Sequence, residues 1–458
     1  MSNPNACAVR VVAIERFERP VTLRLPFRFG AATVTHCPQA FVRARIEIKG
    51  KPYFGAAAEL MVPKWFDKRP AFTHEQNFEQ LREALRIAAQ AYTDADEGTP
   101  FLVSQTAGAA AIEIGVSRGL PRLAAQFGTA LLDKAVADAA LQAAGLSWVD
   151  GVSAGVLGDP YHTRLSWQKP ASVALRHTVG MADMLGDEDP ASWADLPRDG
   201  LPVTLSQAVA HYGLRWFKLK LGGQTESDLE RLTRIAAVLD AQAGDYRATL
   251  DGNESFADPD RLAAFWNAAR SHAPLSKLMP RVLLLEQPLP RAQALEHSIG
   301  GLGIDVPVIL DESDDANDVL ERGIALGYRG ISSKACKGIY RSMHSALRIA
   351  ADPARLLLSG EDLTCQAGLA VQQDTLLAAS LGVTHIERNG HHYVDGFGIA
   401  PDSEAAAFAQ ALPDFYESTS GRPRLAVRQG HLQLGALMSQ TGFGAPVQPD
   451  WSQLQSLL

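Results

Sequence analysis

From about residue 166 to about residue 400 the chain repeats one unit, a short apolar run followed by a longer amphipathic stretch. The runs are SVALRHTVG, WFKLKLG, RATLDGN, VLLLEQP, PVILDES, GISSKACK, RLLLSGED and THIERNG. Segments such as LSQAVAHYG, ESDLERLTRIAAVLDAQAG, DRLAAFWNAAR, ANDVLERGIALG and RSMHSALRIAAD separate most of them. Strand then helix, repeated, predicts parallel strands joined by right-handed crossovers. Eight such units match a closed (β/α)8 TIM barrel, which typically needs about 250 residues. An open doubly wound sheet is the rival; the absence of GxGxxG after an early strand argues against it.

The flanks differ in rhythm. VRVVAIERF, VTLRLPF and AFVRARIEI alternate apolar and polar residues as half-buried antiparallel strands do, with a turn at Gly50 and Lys51 before YFGAAAEL. A helix is predicted from His74 to about Ala95, where Phe78, Leu81, Leu85 and Ala88 share a face. Two more, PRLAAQF and TALLDKAVADAALQAAG, are predicted between residues 121 and 146, the second ending on a C-cap glycine. Residues 1–150 are thus expected to form an α+β unit, 166–400 the barrel, and 401–458 an extension packing back on the first unit. With 458 residues, 46% hydrophobic and 21% charged, the chain has material for more than one globular domain. A net charge of -8 without a long basic run argues against nucleic acid as partner. The start of the chain lacks the pattern of a signal peptide. The apolar stretch from Ala109 to Val116 is broken by Glu113 and too short to span a bilayer. Cys7, Cys37, Cys336 and Cys365 show no CxxC spacing, which suits a reducing cytoplasm.

Six charges stand at or near the ends of the apolar runs: Lys218, Lys220, Asp251, Glu286, Asp311 and Lys334. In a barrel all strand carboxyl ends face one mouth, where sites are built. Asp251, Glu286 and Asp311 fall 35 and 25 residues apart on three successive strands. Converging carboxylates repel and call for a cation; hard oxygen ligands suit Mg2+. A single such acid is more often a helix cap or a solvated strand end, so the series carries the argument. Lys218 and Lys220, two apart, point to one face, and crowding by positive charge is expected to lower their pKa toward general-base range. Lys334 lies one unit beyond Asp311, across the mouth. Lys337 is expected to be a surface or helix-start residue. Asn253 fits a turn, and alternation points Glu312 away from the mouth.

The ordered set KLK, LDGN, LEQP, LDES and SSKACKG, with the helix TALLDKAVADAALQAAG, resembles the enolase superfamily in its mandelate racemase and muconate lactonising branch. The likeness covers about residues 125 to 400. It implies a modified (β/α)8 barrel under an α+β capping domain formed by the N-terminal region and C-terminal tail, and a symmetric homo-oligomer. It implies that Asp251, Glu286 and Asp311 hold Mg2+, which binds the carboxylate of a small-molecule substrate. Lys220 is then a base on one face of the substrate, Lys334 an acid or base on the other, and Lys218 a support for both Lys220 and the substrate carboxylate. The implied outcome is racemisation, epimerisation or cycloisomerisation through an enediolate. The alternatives are a lyase on the same scaffold (an acid sugar dehydratase or an o-succinylbenzoate synthase-like enzyme), a metal-free Schiff-base barrel, and a non-catalytic binding relative.

The sequence departs from that pattern in places. SHAPLSKLMPR lengthens the interval between the third and fourth strands. The seventh run has no histidine, and Glu361 or Asp362 is the candidate there to face the mouth. His385 is expected in the core, and His391 and His392 on the surface. The loops PFRFG and VPKWFDK are the candidate lids, with Arg28 or Lys64 to bind a second anionic group and Phe29 or Trp65 to exclude water; ordinary loop anchoring is the equal alternative for all four.

Overall fold

The computed structural model describes residues 5–30, 32–189, 196–363, 365–419 and 421–457. The first four residues of the expected N-terminal unit, and Leu458 of the tail, lie outside these. Strands β1 (Arg10–Phe29), β2 (Ala32–Ile48) and β3 (Lys51–Leu60) form an antiparallel sheet. Its second hairpin closes on Lys49 and Gly50, with φ of 51° and 76°, the positive pair that a two-residue turn between twisted strands requires. The alternating apolar residues Val42, Ala44 and Ile46 are buried.

The helix Arg122–Ala144 packs on this sheet, and its partner His74–Thr93 packs on that helix. Thr73 and Gln76 close a capping box at the start of the latter. The expected break between PRLAAQF and TALLDKAVADAALQAAG does not occur; one 23-residue helix runs through Gly128. A Cβ at Gly128 would lie 2.3 Å from the carbonyl oxygen of Ala84. The glycine therefore serves close helix–helix approach, not termination. The helix does end at Gly145, at φ 65°.

The eight runs form parallel strands β4 (Ser172–Val179), β5 (Trp216–Lys220), β6 (Arg247–Asp251), β7 (Val282–Glu286), β8 (Val308–Ile309), β9 (Gly330–Ser333), β10 (Leu357–Gly360) and β11 (His385–Glu387). Each pairs with the next except β8 with β9, and β11 pairs back to β4. The ring closes at the bridge between Leu310 and Ile331. This is the (β/α)8 barrel, and it excludes the open sheet, which would leave β4 and β11 without each other. The barrel is a modified one: the crossover after β7 carries only the four-residue helix Arg291–Ala294. The SHAPLSKLMPR segment forms two 3-10 turns before β7, with Leu275 and Leu278 buried.

In the tail, His431–Gln433 pairs antiparallel with β4, and Gln455–Ser456 pairs with β1. Arg19 on β1 makes a bidentate pair with Glu404 at 2.7 and 2.8 Å. No described helix is long and apolar enough to cross a membrane. All four cysteines are free.

Candidate active site

Strand register decides which charges meet. Lys218 and Lys220 alternate on β5 with Phe217 and Leu219, and both point into the barrel. Register pairs Lys220 with Asp251, and Asp251 with Glu286, across β5, β6 and β7. Lys220 Nζ lies 2.6 Å from Asp251 Oδ2. Lys218 Nζ sits one layer deeper, 3.0 Å from Asp251 Oδ2, 2.8 Å from Glu286 Oε2, 2.6 Å from Glu361 Oε2 and 3.0 Å from Glu387 Oε2. On the far side Lys334 Nζ is 2.7 Å from Asp311 Oδ2. In a ring of eight, β5 and β9 are four strands apart, so Lys220 and Lys334 face each other across the mouth.

Electrostatics correct one expectation. Burial would lower the pKa of Lys218, but the four carboxylates around it outweigh burial and raise it well above the ordinary lysine value. Lys334 moves the same way, burial being overcome by Asp311. The sequence pattern of neighbouring lysines suggested mutual repulsion; in the fold Lys218 is ringed by four carboxylates and Lys220 pairs with Asp251. Burial raises Glu286 strongly, with Asp251 and Glu361 adding to it. Asp251 and Asp311 go down, because Lys218 and Lys220 for the first, and Lys334 and Lys337 for the second, outweigh burial.

Two further expectations fail. Lys337 is buried, donating to Asp314 at 3.0 Å and to the Ser332 carbonyl at 3.0 Å, and it lies 3.3 Å from Asp311 Oδ1. A 3-10 turn, Ala335–Lys337, folds it back under the mouth. His391 and His392 are also buried, at 6% and 2% exposure, against His177 on the outer side of β4. His385 sits inside the barrel, stacked on Trp216 at 4.3 Å and bonded to Arg176 at 2.7 Å.

Two site residues, Glu387 and Gln287, escaped the sequence reading. Glu387 ends β11 and accepts from Thr178 as well as Lys218. Glu361, following β10, is held by Arg176 from β4. Asp362 instead accepts from the backbone N–H groups of Leu363 and Asn389. Gln287 takes φ 32°, uncommon for a non-glycine residue, and its Oε1 accepts from the N–H of Asp311 and Ser313. The strand-end position of Glu387 in THIERNG was the one available signal. Asn253 and Glu254 also take positive φ, 41° and 66°. That turn aims the Asn253 N–H at Asp251 Oδ1, 2.8 Å away, while Asn253 Nδ2 binds Glu312 Oε1 at 3.1 Å. Glu312 thus points away from Asp311, as alternation requires.

The two capping loops close over this mouth. Phe27, Phe29, Val62 and Trp65 cover a chamber floored by Lys218, Lys220, Lys334 and Glu387, with a volume of about 20 Å³. That is room for little more than one water. Lys334 Nζ lies 4.4 Å from the Trp65 ring centroid, a cation–π contact. Phe29 and Asn253 also border a wider outer vestibule of about 790 Å³.

Asp251, Glu286 and Asp311 supply hard, buried oxygen donors at the ends of, or just beyond, adjacent strands. The Lys218 ammonium lies 2.8 Å from Glu286 Oε2 without hydrogen-bond alignment, and burial together with the neighbouring carboxylates raises the pKa of Glu286. A divalent cation fits that chemistry. As the side chains stand, Lys218 Nζ lies between Asp251 and Glu286. Among the described residues no three His, Cys, Asp or Glu groups form a site that could hold a metal ion.

No family model matches the chain. The Next to BRCA1 gene 1 protein of Pongo abelii is 30% identical over 116 residues, which is 23% of this chain and 13% of that protein. So short a match carries no argument about the barrel. Solved structures match over nearly the whole length. A muconate lactonizing enzyme from Mucobacterium Smegmatis, complexed with muconolactone, is 18% identical with a TM-score of 0.62, over 97% of this chain and 98% of that one. A dipeptide epimerase from Enterococcus faecalis V583, complexed with Mg and L-Leu-L-Tyr, is 16% identical with a TM-score of 0.59, over 95% and 99%. An enolase from Bradyrhizobium, complexed with magnesium and mandelic acid, is 16% identical with a TM-score of 0.60, over 97% of each chain. The closed barrel, its α+β cap and these matches together show the fold of the enolase superfamily, in the form taken by mandelate racemase and muconate lactonizing enzymes.

Proposed function

We propose that this protein is an enolase-superfamily enzyme that removes the proton α to the carboxylate of a small acid, with racemase, epimerase or cycloisomerase outcome. The observation that carries the reading is the placement of Lys220 and Lys334 on opposite strands, facing one small, covered chamber above buried carboxylates. Asp251, Glu286 and Asp311 are the residues proposed to hold Mg2+; a dipeptide epimerase and an enolase of like fold are complexed with magnesium. When bound, such an ion supplies Lewis-acid stabilisation of the charge that develops on a substrate carboxylate.

The chain's own groups do the rest. Lys220 is the proposed base on the β5 side, and Lys334 hands a proton to the opposite face. Asp311 keeps Lys334 protonated, which suits it to the donor role. Lys218, anchored by Glu361 and Glu387, keeps positive charge beneath the reacting carboxylate. Phe29 and Trp65 exclude water, which strengthens every charge interaction inside. The test is a screen of carboxylic acids for α-deuterium uptake in D2O, read by NMR with Mg2+ present and after chelation. Uptake that needs Mg2+ and disappears in Lys220→Ala supports the reading. Recovered substrate of inverted configuration identifies an epimerase, and a keto acid product identifies the lyase. Activity insensitive to chelation, with borohydride trapping of a lysine adduct, would overturn it.

A further inference from the structure

The vestibule outside the chamber is lined by an excess of positive charge. Arg28, Lys64 and Lys68 line it, beside the imidazole of His74, against a single acid, Glu254. Glu254 is already shared: Lys68 Nζ lies 2.5 Å from its Oε2, and Arg291 Nη2 lies 2.9 Å from the same oxygen. Glu312 is 3.8 Å from Lys68 on the inner side. The Lys64 ammonium donates to the carbonyls of Arg69 and Phe72 and meets no carboxylate among the described residues. Its charge helps hold His74 below the ordinary histidine pKa, after burial.

The structure separates two roles that the sequence left equal. Lys64 anchors its loop. Arg28 does not: its carbonyl accepts from the Met181 N–H, but its exposed side chain has no hydrogen bond or ion pair among the described residues. It stands two residues before Gly30 at the tip of the β1–β2 hairpin, paired with Thr33 across the strands. Its neighbour Phe29 borders both chamber and vestibule. A guanidinium offers a planar fork matched to a carboxylate.

We infer that the vestibule is a second anion subsite, in which Arg28 binds a distal carboxylate of an elongated, dianionic substrate whose reacting end lies in the chamber. The inference rests on the proposed function for the position of that reacting end. The distal carboxylate also gives an incoming acid a reason to lodge in the vestibule first, since a cationic concavity raises the local concentration of anions.

The test pairs each straight-chain dicarboxylate from glutarate to suberate with its monomethyl ester, which removes one charge and little else. Binding is measured by calorimetry on the full chain with Mg2+, and α-deuterium uptake by NMR. At least one diacid should bind about tenfold tighter than its ester, as a charge-assisted contact to a guanidinium implies. Arg28→Met should erase that preference, Arg28→Lys should keep part of it, and both variants should melt like the parent because the side chain anchors nothing. Equal binding of diacid and ester, no binding of either, or a preference unchanged in Arg28→Met would overturn the subsite. A diacid preference lost in Arg28→Met, without deuterium uptake from any acid, would uphold the subsite and count against the proposed chemistry.

Discussion

Two polar clusters lie buried against the barrel, and their protonation equilibria move in opposite directions. At the mouth, Lys218 is 1% exposed yet more strongly held in its charged form than a free lysine, because four carboxylates reach it. Outside the barrel wall, the rings of His392 and His391 meet that of His177 edge-on, with centroids 4.9 and 5.1 Å away. Among the described residues no acid pairs with them, so desolvation wins; His177 falls to about 3, and His391 and His392 go well below the ordinary value. Arg24, which donates to the His392 carbonyl, adds to the fall of the latter two. Depth alone therefore says little about charge. What decides it is whether the opposite charge is brought to the same depth. The mouth buries ions and the outer cluster neutral rings, which supports the mouth as the proposed place for proton chemistry.

The largest effect should come from the lysines that face the chamber. Lys220→Ala and Lys334→Ala should each lower α-proton exchange by about 10²–10⁴-fold, the usual range for a lost general acid or base. Circular dichroism should show the fold retained. Next is Lys218→Met, which leaves Asp251, Glu286, Glu361 and Glu387 without their shared cation. Breaking a buried ion pair from one side costs about 3–5 kcal/mol, so urea unfolding should show a loss of that order. A loss under 1 kcal/mol would mean that the carboxylates simply take up protons.

Acid should act on the outer cluster. Its histidines have folded pKa values below the unfolded value of about 6.5, so the unfolded state binds more protons between them. Their contribution is fully present above about pH 6.5 and declines as the pH falls toward the folded values. Each histidine adds a slope of about 1.4 kcal/mol per pH unit in that window. Asp133 and Asp138, raised to about 7 by burial, act with the opposite sign as pH rises from the unfolded carboxylate value. Comparison with His177→Leu isolates the histidine part: its stability curve between pH 4 and 6 should be shallower by about one proton's slope. An unchanged curve would place protons elsewhere. The smallest effect is expected from His392→Gln at neutral pH. It removes no charge, and His392 Nδ1 had no hydrogen-bond partner. A loss of about 1 kcal/mol, typical of single substitutions, would sharpen the contrast with Lys218→Met.

The eight apolar runs and the strand-end acids were legible because a buried parallel strand and its exit are local patterns. So was the shared face of Lys218 and Lys220, which follows from the two-residue period of a strand. Glu387 was not, nor was the ion pairing of Glu361, since their partner Lys218 lies 169 and 143 residues away. The burial of Lys337 depends on Asp314 and Ser332 being folded over it. Adjacent histidines in GHHY look solvated until His177, on the outer side of the neighbouring strand β4, is placed against them. Gly128 looks like a helix break until the backbone of Ala84 is seen beside it.

By itself the amino-acid order determined the alternation of strand and helix, the closed ring that eight such units make, and the six charges that the ring carries to one end. Periodicity and strand pleat are properties of a few neighbouring residues, so no distant contact is needed to read them. The tertiary structure alone decided which of those charges are paired, which lysine is sealed among acids and which arginine is left open to an incoming anion. A charge takes its energy from whatever stands within a few ångströms of it, and in a barrel those neighbours come from opposite ends of the chain.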